Sequence, residues 1–368
     1  MSNFDLITHF ILKSDKGGGL EDFAEMYRRH PLANAYWEDK RVDMTKIQCP
    51  VYICGSDLSS IHPMGSVRGW MEVPHDDKWI RWSSYQEWYE LYCQPAADQD
   101  LRRFFDRYLR GEENGWEKTP KVRWATLQFG NREAIHDIEY PDFPIPNTEY
   151  KQLYLRNGKL DASPPSEMSM ATYNSEDGSN IAAFTYSFPS RTRLIGLPKA
   201  VLYMSCLERD DMCVFVILRK KDRECNLLMH LAFPFEAMPY NTIEDIPTKE
   251  RQSLNLHLGS TGVLRASHRA YDAERSIHDQ FPFHPHDREE KVPPGEVVEL
   301  EIGIWPIGVD FDEGEVLEMQ VSGQFPSIAE YTAFSKPRPE SEQNKGEHRI
   351  HIGPEHPSSV ILPFVPIP

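Results

Sequence analysis

Between residues 298 and 321 apolar and polar side chains alternate with a period of two. Val298, Leu300, Ile302 and Ile304 share one face, while Glu299 and Glu301 take the other. Leu317, Met319 and Val321 repeat the pattern, with Glu318 and Gln320 expected to point away to solvent. Such alternation predicts half-buried antiparallel strands. Turn signals at Pro293-Pro294-Gly295 and Asp312-Glu313-Gly314 separate them. Further strands are expected at Lys121 to Phe129, Gln152 to Leu155, Phe184 to Phe188, Ala200 to Ser205, Val214 to Leu218 and Leu227 to Ala232. That spacing suits a β-sandwich or jelly roll.

The first third reads differently. Leu20, Phe23 and Tyr27 recur at helical spacing until Pro31 stops the run. Cys49 to Gly55 and Lys78 to Trp82 read as short buried strands, with Ile61 to Met71 a loop leading into a helix. From Gln86 to Arg110 an apolar stripe through Trp88, Leu91, Tyr92, Leu101, Phe104, Phe105, Tyr108 and Leu109 predicts helix, closed by Gly111. Pro95 should divide it in two. The fold class expected is therefore mainly β with an α/β part, divided near Asn114 to Thr119 into 1–118 and 119–368.

Composition narrows the partners. A net charge of −17 opposes nucleic acid and anionic membrane. The six cysteines lack C-x-x-C spacing, which fits a reduced, cytoplasmic protein without disulfides. Residues 1–19 carry only a short apolar stretch, with Asp5 and no basic lead, unlike a leader peptide. No run reaches the roughly 18 apolar residues of a membrane helix. Gly17 to Gly19 lack the Lys and Ser/Thr of a phosphate-binding loop. His284-x-His286 and His348-x-x-His351 have no carboxylate or thiol at diagnostic spacing. No metal and no cofactor are expected. The polar residues 333–347 read as an exposed loop.

Several segments together carry a family resemblance. LRASHR, then PPGEVVELEIGIWPIG, EVLEMQVSG and the closing HRIHIGPEHPSSVILPFVPIP resemble the C-terminal jelly roll (galactose-binding-like) of the CocE/NonD hydrolases. That group includes cocaine esterase and the X-Pro dipeptidyl-peptidases. HPLANAYWEDKR and RRFFDRYLRGEENGW are most similar to fungal members. The resemblance implies an X-Pro dipeptidyl-peptidase C-terminal-like domain preceded by a truncated α/β-hydrolase remnant. It also implies a Ser–Asp–His triad. Asp57, after the strand ending at Gly55, matches the position of the acid. A G-x-S-x-G elbow, which would expose the nucleophile, is absent from the chain. Where the resemblance places the histidine, the residues are Ser83-Ser84-Tyr85-Gln86-Glu87. A serine needs a base and the base needs an orienting acid. Hydrolysis by this chain alone is therefore not expected.

The remaining expectation is a non-hydrolytic, isomerase- or cyclase-type enzyme acting on a small apolar metabolite in fungal secondary metabolism. Asp57, His62, Tyr85 and Glu87 are the polar candidates. Trp70, Trp79, Trp82 and Trp88 are the aromatic walls of its pocket. Half of a split hydrolase needing a partner chain, and a non-catalytic binding protein, are the alternatives. An open parallel sheet edge in the remnant would favour a homodimer.

Overall fold

The computed structural model describes residues 21, 23–59, 61–251, 256–325 and 344–367. The N-terminal stretch with its three glycines and most of the polar 333–347 segment lie outside the described residues. Two short helices, α1 (Phe23–Arg29) and α2 (Ala35–Asp39), lead into a small α/β unit. Asn34 caps α2 by accepting a hydrogen bond from the Tyr36 N–H. Then come β1 (Val51–Ser56), α3 (Pro63–Glu72), β2 (Lys78–Ser83), α4 (Glu87–Cys93) and α5 (Pro95–Leu109). Pro95 opens α5 at a position where its missing N–H costs nothing, so the expected division is found there.

A single 3₁₀ turn at Trp116–Lys118 carries the chain through the expected boundary. The next two strands, β3 (Val122–Thr126) and β4 (Ile135–Tyr140), still belong to the first sheet, whose order is β1-β2-β3-β4. β1, β2 and β3 are parallel, and β4 runs antiparallel to β3. The outer edge of β1 is unpaired among the described residues.

Alternation sorts the side chains of this sheet. Ile80, Trp82, Val122 and Trp124 lie on one face with Val67 and Trp70 of α3. Trp79 packs on the other with Phe104 of α5 and Trp116, joined there by Tyr52. Ion pairs tie the helices to that second face. Arg81 contacts Glu90 of α4 at 3.0 Å and Asp137 of β4 at 2.8 Å, and Arg123 pairs with Asp100 of α5.

All the remaining strands form one hydrogen-bonded assembly. In chain order they are β5 (Glu149–Arg156), β6 (Lys159–Asp161), β7 (Ser169–Asn174), β8 (Ala182–Ser187), β9 (Thr192–Gly196), β10 (Lys199–Cys206) and β11 (Cys213–Lys221). After the one-turn helix α6 (Thr248–Arg251) come β12 (Ser260–Arg265), β13 (Val298–Gly303), β14 (Ile307–Phe311), β15 (Val316–Ser322), β16 (Glu347–Ile352) and β17 (Ser359–Val365). Apart from β6 with β8, their pairings are antiparallel. Inward residues such as Leu155, Leu202, Val216, Leu300, Met319, Ile350 and Leu362 form one apolar core. The jelly-roll expectation holds.

Two local expectations need correction. Glu318 and Gln320 are buried rather than solvent-facing. β15 is a central strand between β11 and β8, so its outer-face groups satisfy one another. Glu318 accepts from Lys221 Nζ at 2.5 Å and from Gln320 Nε2 at 2.7 Å. Leu227 to Ala232 forms no strand; it makes only the isolated bridges Leu227–Lys221 and His230–His257. Both edges of β11 are already occupied, by β12 and β15. The segment therefore has no long edge on which to pair.

Gly55 is where the parallel sheet meets its aromatic stack. A Cβ there would lie 2.5 Å from the Trp82 ring. Trp82 cannot yield easily, because it stacks on Trp124 at 4.3 Å with the rings 8° from parallel. Gly55→Ala should destabilise the protein by about 1–3 kcal/mol, as overpacked cores do. A shift of the urea midpoint, with the slope unchanged, would check it.

Candidate functional site at the sheet seam

The two sheets meet where β3 runs out. The Leu127 N–H donates to the Gly308 carbonyl at 2.8 Å, and the Leu127 carbonyl accepts from the Asp310 N–H at 3.2 Å. That bridge brings β14 under the C-terminal ends of β1, β2 and β3. In open α/β sheets those ends are where ligands bind.

Asp57 follows β1 directly into this seam. It is buried, and both carboxylate oxygens are without a hydrogen-bond partner among the described residues. Burial pushes its carboxyl up to about 8, and the neighbouring Trp82 indole N–H opposes that shift only in part. Neither group completes a well-formed hydrogen bond to the other. The wall beyond is Gly308. A Cβ on it would stand 2.6 Å from Trp124 Nε1 and 3.1 Å from Asp57 Oδ2. Trp82, Trp124 and Phe143 form a continuous stack, the second pair at 5.0 Å and 4°.

Other polar atoms are orphaned at the same ends. Trp82 Nε1, Trp124 Nε1, Thr126 Oγ1, Gln128 Nε2 and His230 Nδ1 are all buried without a partner among the described residues. Buried polar groups are normally paired, so a concentration of exceptions calls for an occupant such as a ligand or water. His230 Nε2 lies 3.0 Å from the Ser84 carbonyl. That contact makes Nε2 the donor and leaves Nδ1 as a bare acceptor. Burial pulls its imidazole down to about 4, so it is neutral at physiological pH.

The residues singled out from sequence fall into separate places. His62 and Glu87 meet, Nδ1 to Oε1 at 2.5 Å, with His62 more than half exposed. Tyr85 stacks on His230 at 6.1 Å, and burial raises its hydroxyl to about 12. Trp82 lines the seam, and Trp70 shares its cluster while donating from Nε1 to the Phe143 carbonyl at 2.8 Å. Trp79 lies on the opposite face of the sheet, against α5. Trp88 is about half exposed and packs edge-on to Phe233 at 5.5 Å. Sequence reasoning passed over Trp124, Thr126, Gln128, His230 and Gly308. For His230 a signal existed: a histidine inside the apolar run LLMHLAF. Among the described residues, no group of three or more His, Cys, Asp or Glu is placed to hold a metal. No helix there is long and apolar enough to cross a membrane.

Comparison with known proteins places this geometry in context. Residues 114–361 match the X-Pro dipeptidyl-peptidase C-terminal non-catalytic domain. A CocE/NonD family hydrolase from Staphylococcus aureus superposes with a TM-score of 0.84 at 29% identity, over 98% of this chain and 62% of that one. A second structure of such a hydrolase from that organism gives 0.81 at 31% identity, over 95% and 60%. An α-amino acid ester hydrolase shares the fold, with a TM-score of 0.64 at 15% identity over 98% of this chain and 62% of that one. The chain thus spans about three fifths of the length of these hydrolases. No curated protein matches it.

The unpaired Asp57 makes a prediction about pH. Its carboxyl titrates near 3.8 when free and near 8 in the fold. Between those values the folded protein holds a proton that the unfolded chain has released, so stability falls as pH rises, by about 1.4 kcal/mol per unit. The contribution is fully present below pH 4 and lost above pH 8. Asp57→Asn should therefore be no more stable than the parent near pH 4 and more stable near pH 8. Paired urea denaturation at the two pH values would test this.

Proposed function

For a chain that belongs to the X-Pro dipeptidyl-peptidase C-terminal domain family and is built like the CocE/NonD hydrolases, we propose a non-hydrolytic role: binding a small, largely apolar molecule at the seam and rearranging it by proton transfer. The observation that carries this reading is Asp57, buried in an aromatic enclosure with both carboxyl oxygens unpaired among the described residues, where burial pushes its carboxyl up to about 8. A neutral carboxyl can donate a hydrogen bond or a proton where a carboxylate cannot. Asp57 would protonate a carbonyl oxygen or an alkene carbon of the ligand. It would then recover a proton from another position of the same molecule, leaving the composition unchanged, as in an isomerisation or cyclisation.

The flat Trp82–Trp124–Phe143 stack supplies the apolar wall for such a molecule. The bare Nδ1 of His230, the hydroxyl of Thr126 and the two indole N–H groups could orient its polar end. Tyr85 holds His230 by stacking, and the His62–Glu87 pair stands at the outer side of the same strand ends. Trp70 supports the stack from behind. Trp79 and Trp88 would act on the fold rather than the ligand. No metal or cofactor is needed for this chemistry, and a cytoplasmic setting in secondary metabolism suits a small apolar metabolite.

A second reading is favoured by the unpaired edge of β1 and by the length of the S. aureus hydrolases. The chain would then act as part of a serine hydrolase whose nucleophile comes from elsewhere. Co-purification of this chain with a polypeptide that a fluorophosphonate probe labels would favour this second reading over the first. A fluorophosphonate probe, followed by intact mass, should leave the protein unmodified under the first reading. Covalent labelling of a serine in this chain would overturn it. On the binding side, apolar ketones and terpenoid alcohols should quench the tryptophan fluorescence of the parent. The same titration should fail, or weaken at least tenfold, in Asp57→Asn, whose melting temperature at neutral pH should be no lower than the parent's.

A further inference from the structure

Away from the seam, α5 exposes an apolar stripe. Leu101, Phe105 and Leu109 recur every four residues on its outer side, with Phe105 45% and Leu109 77% exposed. Beside Phe105, with the two rings 5.6 Å apart, Phe104 is buried against Trp79 and Trp116, so the apolar surface of the helix continues from the core onto its outer side. A helix wholly solvated on its outer side would not carry two aliphatic residues and a phenylalanine in line. The stripe runs along the floor of a shallow recess flanked by Asp98, Arg102, Asp106 and Arg110.

The order of those flanking charges matters. Asp98, Arg102, Asp106 and Arg110 alternate in sign at a constant spacing of four residues. Read in the opposite direction the series is the same with every sign exchanged. A second α5 laid antiparallel across a two-fold axis near residue 104 would set Asp98 opposite the other copy's Arg110, and Arg102 opposite its Asp106. The same superposition brings the two Leu101–Phe105–Leu109 stripes together to within two residues of register. Symmetric contacts require a surface complementary to itself, and flanking charges choose orientation in paired helices. Within one chain these groups pair as Asp98–Arg102 at 2.7 Å and Asp106–Arg110 at 2.8 Å. Exposed pairs of that kind contribute little to stability and remain free to be shared across an interface.

We propose that α5 is the self-association surface of this protein, its occupant being α5 of a second copy packed antiparallel. The interaction buries the Leu101–Phe105–Leu109 stripe and closes reciprocal Asp–Arg pairs around it. Sedimentation equilibrium of the full chain should then give twice the 42.7 kDa chain mass at micromolar concentration. Phe105→Glu with Leu109→Glu should shift it to monomer with its thermal melt intact, since both residues are exposed. Asp98→Arg alone and Arg110→Asp alone should each weaken dimerisation about tenfold, and the two together should restore it. Only a partner that carries the same helix gives that rescue. A monomeric parent, a dimer indifferent to the glutamates, or a double reversal weaker than either single one would each overturn the proposal.

Discussion

One backbone contact sets the relation between the two halves: Leu127 hydrogen-bonded to Gly308 and Asp310. It joins the last parallel strand of the small sheet to the jelly roll. Everything at the seam follows from how closely these backbones approach. Gly308 is the enabling residue, because a side chain there would collide with Trp124, the Ala125 carbonyl and Asp57. The absence of a side chain lets the Trp82–Trp124 stack lie against β14 and leaves Asp57 sealed without a partner.

A sealed, unpaired carboxyl is destabilising at neutral pH, and it persists only because the surroundings over-determine it. Here the surroundings are stiff. Gly55 admits the Trp82 ring from below, Phe143 closes the stack, and α3 and β4 confine its edges. Ion pairs on the opposite face, Arg81 with Glu90 and Asp137 and Arg123 with Asp100, clamp α4, α5 and β4 to the same strands. The Arg81–Glu90 and Arg123–Asp100 pairs are largely buried, where breaking one partner is far more damaging than its presence is stabilising. The scaffold thus holds the Asp57 carboxyl desolvated and unpaired among the described residues.

The small sheet and the jelly roll also divide the labour of exposure. The jelly roll closes its core with paired strands. The α/β part leaves β1 unpaired among the described residues and α5 with an apolar outer face. Parallel sheets need cover on both faces and neighbours at both edges. The half of the molecule that bears the acid is therefore also the half with surface to offer a partner.

Period-two alternation and proline placement marked β5, β8, β10, β11, β13 and β15 of the jelly roll and the division of α4 from α5, and short apolar runs marked the parallel strands β1 and β2. Those signals are local: each needs only its neighbours in sequence. The same alternation also separates Trp79 from Trp82, since residues three apart on a strand face opposite ways, although aromatic density alone gathers them into one pocket. Asp57 was recognisable from its place after a strand, but its protonation was not. That depends on Trp124 and Gly308, which are 67 and 251 positions away in the chain. Likewise Glu318 and Gln320 look solvent-facing in sequence and are buried because β15 has neighbours on both sides. Pattern decides which way a side chain points; what it meets there is decided only when distant strands pack, because desolvation is a property of the assembled neighbours and not of the residue.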